Sequence, residues 1–139
     1  MTLPAPDRTR PVTFIIATLV LAGCGLSGPA HDAASPDAGA SVTMGFGSYE
    51  PTTVHVKAGQ TVEFRNTAVI THSVTDDAKL AKEATDAVVP AGATPFNSGD
   101  IAPGQIYTQT FTQPGTYTYF CTHHEDDGMV ATVIVDPAS

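Results

Sequence analysis

Near its C-terminus the chain reads Cys121-Thr122-His123-His124-Glu125-Asp126-Asp127-Gly128-Met129, which sets a thiol, two imidazoles and a thioether in one short stretch. Upstream, His72 closes the run Asn66-Thr67-Ala68-Val69-Ile70-Thr71-His72. Thiolate and thioether are soft ligands that favour copper, and imidazole suits both copper oxidation states. A His, His, Cys plane with a long axial Met is the blue-copper arrangement. Zinc also takes a Cys and two His, but it gains nothing from Met and wants a fourth firm ligand or an open water position. Taken singly, these residues read as a buried core cysteine, solvated histidines and a core methionine. Taken together, in a chain with two cysteines and three methionines, they read as a metal centre.

The other cysteine bears on where the chain goes. Arg8 and Arg10 precede an apolar run from Val12 to Ala22, too short to span a bilayer as a helix and suited to a secretory signal. The following Leu21-Ala22-Gly23-Cys24 resembles a bacterial lipobox, in which the peptide is cut before the cysteine and its sulfur carries a diacylglycerol. Residues 1–23 are thus expected to be a lipoprotein signal peptide and Cys24 the lipidated residue. Acyl chains there would anchor the protein in the bacterial cell envelope, facing the periplasm or the extracellular side. Residues 24–40 are small, polar and Pro-punctuated, with Leu26 the only large apolar side chain, so they cannot bury enough surface to fold. They read as a flexible tether with a reach of roughly 20 to 25 Å, in which His31 is solvated. With Cys24 acylated, Cys121 is the only thiol left in an exported chain, where an exposed free thiol would oxidise. It must be buried or ligated.

Residues 41–139 have to position the metal set. Val42, Met44 and Phe46 alternate with Thr43 and Gly45, Val54 and Val56 flank His55, and Val62 and Phe64 alternate with Glu63 and Arg65. Later runs behave alike: Tyr107, Gln109 and Phe111, then Tyr117, Tyr119 and Cys121, then Val133 and Val135. Turn markers separate them at Tyr49-Glu50-Pro51, Ala58-Gly59, Pro103-Gly104 and Pro114-Gly115. Many short strands predict an all-β, two-sheet sandwich. One stretch, Asp77 to Ala87, reads as a short helix with Asp76 or Asp77 as N-cap. His55, between two inward valines, should face solvent.

Charge narrows the partners. Six Lys and Arg against fourteen Asp and Glu give a net charge of −8, which makes nucleic acid a poor partner because the phosphate backbone rewards clustered positive charge. A lone Cys121 also has no second cysteine for a dinuclear copper centre, so enzymatic activity in isolation is not expected.

The segment from Ser41 to Val135 resembles the cupredoxins, in particular small carriers of the plastocyanin, amicyanin and pseudoazurin type. The resemblance is carried by Val56-Lys-Ala-Gly-Gln-Thr-Val-Glu-Phe64 with Asn66, by His72, by Phe96-Asn-Ser-Gly, by Pro103-Gly104, by Phe111-Thr-Gln-Pro-Gly-Thr-Tyr117-Thr-Tyr-Phe-Cys121, and by the Cys-x2-His-x4-Met loop. It implies a cupredoxin-like Greek-key sandwich holding one type 1 copper ion on His72, Cys121, His124 and Met129. It further implies a monomeric one-electron carrier between a redox donor and an acceptor, with the exposed face of His124 as electron exit. Copper storage or delivery by a lipoprotein would use the same ligands. Relatives usually have Pro where His123 stands, Asn where Ser73 stands and Gly where Ala131 stands. A hydrogen bond toward the Cys loop must therefore come from Ser73 or be lost. Glu125, Asp126 and Asp127 load the ligand loop with negative charge, which would favour a basic partner such as a cytochrome.

Overall fold

Alternation of β-branched and polar residues sorts the strands onto two faces. Val54 and Val56 point inward while Thr53, His55 and Lys57 point to solvent, so His55 stands outside as its neighbours require. The computed structural model describes residues 38–139, in which seven strands form: β1 (Ala38–Met44), β2 (Tyr49–Glu50), β3 (Thr53–Lys57), β4 (Thr61–Asn66), β5 (Ile106–Thr110), β6 (Gly115–Phe120) and β7 (Val130–Asp136). One sheet has the order β2-β1-β4-β5 and the other β3-β7-β6. The pairs β1/β4 and β3/β7 are parallel and the others antiparallel, so both sheets are mixed, an arrangement that fits a Greek-key sandwich. Cys24, His31 and the signal sequence lie outside the described residues.

Strand β1 begins at Ala38, three residues before the boundary expected from composition. The small residues that read as tether are what let this strand in: a Cβ at Gly39 would lie 2.8 Å from Gln60 Cβ, and the register shifts between Ala38 and Ala40.

Between the sheets lie Val42, Val62 and Phe64 from one side and Val56, Tyr117, Tyr119, Val133 and Val135 from the other, all almost wholly buried. Tyr119 meets Tyr49 and Phe64 edge-on, with centroids 4.8 and 5.3 Å away, and Phe111 meets Tyr117 the same way at 4.9 Å. Such pairs add about 0.5 to 1.5 kcal/mol each beyond their buried area. Glu63 departs from simple alternation. Its side chain is buried on the outer face of β4 and bonds Arg65 at 3.0 Å.

The helix expected over Asp77 to Ala87 does not form; the segment runs through isolated turns. Leu80 is its only large apolar side chain and stands 43% exposed, so a helix there would have no apolar stripe to bury. Both ends are instead tied to the edge of β6, Thr75 pairing with Phe120 and Val88 with Thr118. Asp77 caps a local turn by accepting from Lys79 N. Among the described residues the single helix is a 3₁₀ turn at Glu125–Asp127.

Asp76 turns inward rather than capping a helix. Its Oδ1 accepts from Phe96 N at 2.7 Å, while its Oδ2 is buried without a partner. Burial disfavours the charged form and pushes the Asp76 carboxyl up to about 6, against the lowering effect of the Phe96 amide. A carboxyl raised in the folded state favours folding below its unfolded value near 3.8, and that contribution is lost as pH rises through about 6. Asp76→Asn keeps the acceptor for Phe96 and removes the charge. Urea unfolding of the metal-free protein should therefore show the variant gaining about 2 kcal/mol on the parent between pH 4 and pH 8. A gap that does not change with pH would contradict this account of Asp76.

Candidate metal centre

The hairpin connection between β6 and β7 carries three of the chemically distinctive side chains. Cys121 follows the last residue of β6, Met129 precedes the first of β7, and Cys121 N donates to Met129 O at 3.1 Å, which extends the antiparallel ladder past the strand ends. Inside the loop, His124 N donates to Cys121 O and Met129 N to His124 O, both at 3.1 Å. Gly128 ends the 3₁₀ turn with φ of 79°, a left-handed conformation that favours glycine, and its N–H reaches Glu125 O at 2.8 Å. The loop is thus closed by its own backbone.

His72 arrives from the other sheet, on the connection after β4. Asn66, at the end of β4, shapes that connection. Its Nδ2 donates to the carbonyls of Ile70 and Ile101, both at 2.8 Å, and its Oδ1 accepts from Ala68 N at 3.0 Å. His72 then pairs with Ile101 through both backbone groups, at 3.1 and 2.7 Å. The His72 backbone is thus fixed through both its N–H and its carbonyl before any contact of the ring is counted.

These elements bring together His72, Cys121 and His124, whose donor atoms lie within 4.8 Å of one another. Nδ1 of His72 is 3.8 Å and Nδ1 of His124 is 3.6 Å from Cys121 Sγ, and the two rings stand 4.9 Å apart. Met129 is fully buried beside them, its backbone bonded to both Cys121 and His124. His123 is not among them. It turns outward, and its Nε2 lies 2.8 Å from Asp100 Oδ1. Burial first, and the neighbouring His124 second, hold the His72 imidazole below its ordinary pKa, with the Gly45 carbonyl acting in the opposite direction. A metal-binding imidazole has to be neutral, so this shift prepares the ring as a ligand.

The sulfur has its own support. Ser73 N donates to Cys121 Sγ at 3.3 Å. The Ser73 hydroxyl lies 3.8 Å from the sulfur, exchanges a hydrogen bond with Thr122 Oγ1 at 2.9 Å and accepts from Thr122 N at 2.9 Å. The bridge between the His72 loop and the Cys loop is thus kept with serine in the position where relatives usually have Asn. Tyr49 completes it, donating to Ser73 O at 2.6 Å. Burial, followed by the charges of Cys121 and Tyr119, pushes the Tyr49 phenol well above its ordinary range, so it remains a donor. In the sequence Tyr49 reads only as a turn marker. Its one signal is an aromatic beside Pro51 in a stretch that otherwise alternates.

A buried thiol, two imidazoles and a buried thioether in this arrangement fit copper better than zinc, since a thioether contributes little to zinc. The profile described as "Copper binding proteins, plastocyanin/azurin family" matches residues 38–136. The plastocyanin of Prochlorothrix hollandica is 36% identical over 109 residues, covering 74% of this chain and 79% of that protein. The chloroplastic plastocyanin of Tetradesmus obliquus is 39% identical over 100 residues, covering 69% and 66% respectively. Among solved structures, the Cu(I) form of an amicyanin point mutant superposes with a TM-score of 0.57 at 30% identity, covering 74% of this chain and 86% of that one. With one copper site formed by His72, Cys121, His124 and Met129, the chain belongs to the plastocyanin/azurin family of copper-binding electron-transfer proteins, the cupredoxins.

Proposed function

We propose that this protein is a one-electron carrier anchored in the bacterial cell envelope. The observation that carries the reading is the ligand cluster, in which three of the four ligand residues are buried and only His124 reaches the surface. Copper on such a set supplies a reversible one-electron couple. The chain does the rest. The sandwich holds ligands from two sheets in one arrangement, burial of Cys121, His72 and Met129 keeps water from the sulfur, and the Ser73 N–H stabilises negative charge on the thiolate. His124 offers a partner the shortest way in.

The charge distribution supports a basic redox partner, such as a cationic cytochrome, but through the whole surface rather than through the loop alone. Glu125 is turned inward and Asp126 pairs with Lys82, which leaves Asp127 as the unpaired acid of the run, while Asp100 is engaged by His123. Steering then rests on the net charge of −9 that the chain carries from Cys24 onward, four Lys and Arg against thirteen Asp and Glu, and fades as salt shortens the Debye length from about 10 Å at 0.1 M to about 3 Å at 1 M. Anchoring is supported by the Leu21-Ala22-Gly23-Cys24 motif after a short apolar run.

Two variants test these statements. Cys121→Ser removes the thiolate that supplies the charge transfer. Adding copper(II) should leave it without the intense visible band of the parent, with an unchanged far-ultraviolet circular dichroism spectrum. Full colour in that variant would overturn the copper assignment. A parent that binds copper(I), never turns blue and passes metal to an acceptor would instead be a storage or delivery protein. Cys24→Ala should move the protein from the membrane pellet to the soluble fraction of the host cell, and a variant that still pellets would make Cys24 incidental.

A further inference from the structure

Glu125 follows the ligand His124 directly, yet its side chain is only 6% exposed. One carboxylate oxygen, Oε1, accepts from two backbone amides of a distant segment, Lys82 N at 2.8 Å and Glu83 N at 3.0 Å. That segment is the one in which no helix forms, so neither amide has a helical carbonyl four residues back to satisfy it. Its ends are fastened to β6 through Thr75 and Val88. The Lys82 ammonium also bonds Asp126, but both side chains are largely exposed and such a pair adds little.

We infer that Glu125 is a positioning residue of the copper centre: its carboxylate clamps the ligand loop onto the segment 82–83 and so fixes where His124 stands. The inference rests on His124 being a copper ligand. The remaining restraints on the loop are its own backbone closure, the Ser73–Thr122 contact next to Cys121, and the exposed His123–Asp100 pair. None of these ties the Met129 side of His124 to another segment of the chain, and the Lys82–Asp126 pair that does so is largely exposed and weak. A buried carboxylate with two amide donors is strongly held, because the charge on the acceptor strengthens both bonds.

Both amides reach the same oxygen, which gives a sharp test. Glu125→Gln keeps that oxygen and should bind copper(I) as the parent does in chelator competition, with the parental visible spectrum of the copper(II) form. Glu125→Ala loses both bonds. Its affinity should fall by about 10- to 100-fold and its charge-transfer band should shift, as happens when partners of metal ligands are removed. Parental affinity and spectrum in the Ala variant, or an equal loss in the Gln variant, would overturn the proposal. Should the Ala variant fail to fold, hydrogen exchange on the metal-free parent decides. The amides of Lys82 and Glu83 should be protected while those of Ala84 and Thr85 exchange freely, and free exchange at Lys82 and Glu83 would overturn the clamp. That arm needs no copper, so its failure is distinct from failure of the copper reading.

Discussion

The hydrogen bond from Ser73 N to Cys121 Sγ is the contact on which the metal end of this protein depends. It joins two connections that grow from different sheets, one carrying His72 and the other carrying Cys121, His124 and Met129. A buried sulfur without a donor would be a poor thiolate, since desolvation disfavours charge. With the Ser73 amide aimed at it, the sulfur can carry negative charge in a site that excludes water. The Ser73 peptide is itself held by Tyr49 on one side, and the Ser73 hydroxyl is held by Thr122 on the other. Tyr49 packs edge-on against Tyr119, so the alignment of the sulfur is connected to the centre of the core.

The ligand set is legible in the sequence because its residue types are rare in combination and closely spaced. The sandwich is legible too, because alternation over five or six residues specifies which face is buried. Three features are not visible there. The start of β1 is hidden because Ala38-Gly39-Ala40 has a tether's composition, and only the approach of Gln60 shows why small residues are needed there. The segment Asp77 to Ala87 has helical propensity, but propensity counts for little without an apolar face, and Leu80 alone does not make one. The contacts of Tyr49 and Glu125 span 24 and 43 positions, which no local pattern encodes.

Charge on the ligand loop illustrates the same limit. Three consecutive acids beside the exposed histidine read as a docking patch, yet each has a different fate: Glu125 is buried, Asp126 is paired and Asp127 is free at the surface. Acidic composition there serves the architecture of the loop as well as its surface. The missing helix and the buried Glu125 are two sides of one arrangement, because amides left over by the first are what the second accepts.

A carrier of this kind depends on a site that is built before the metal arrives and that moves little when the electron does. The most direct measurement is a set of crystal structures of the metal-free, copper(I) and copper(II) forms. The account predicts that the donor atoms of His72, Cys121 and His124 keep their positions within about 0.5 Å across all three, with the Ser73 to Cys121 hydrogen bond intact. A metal-free or reduced form in which His124 swings away, or in which that hydrogen bond is broken, would contradict it.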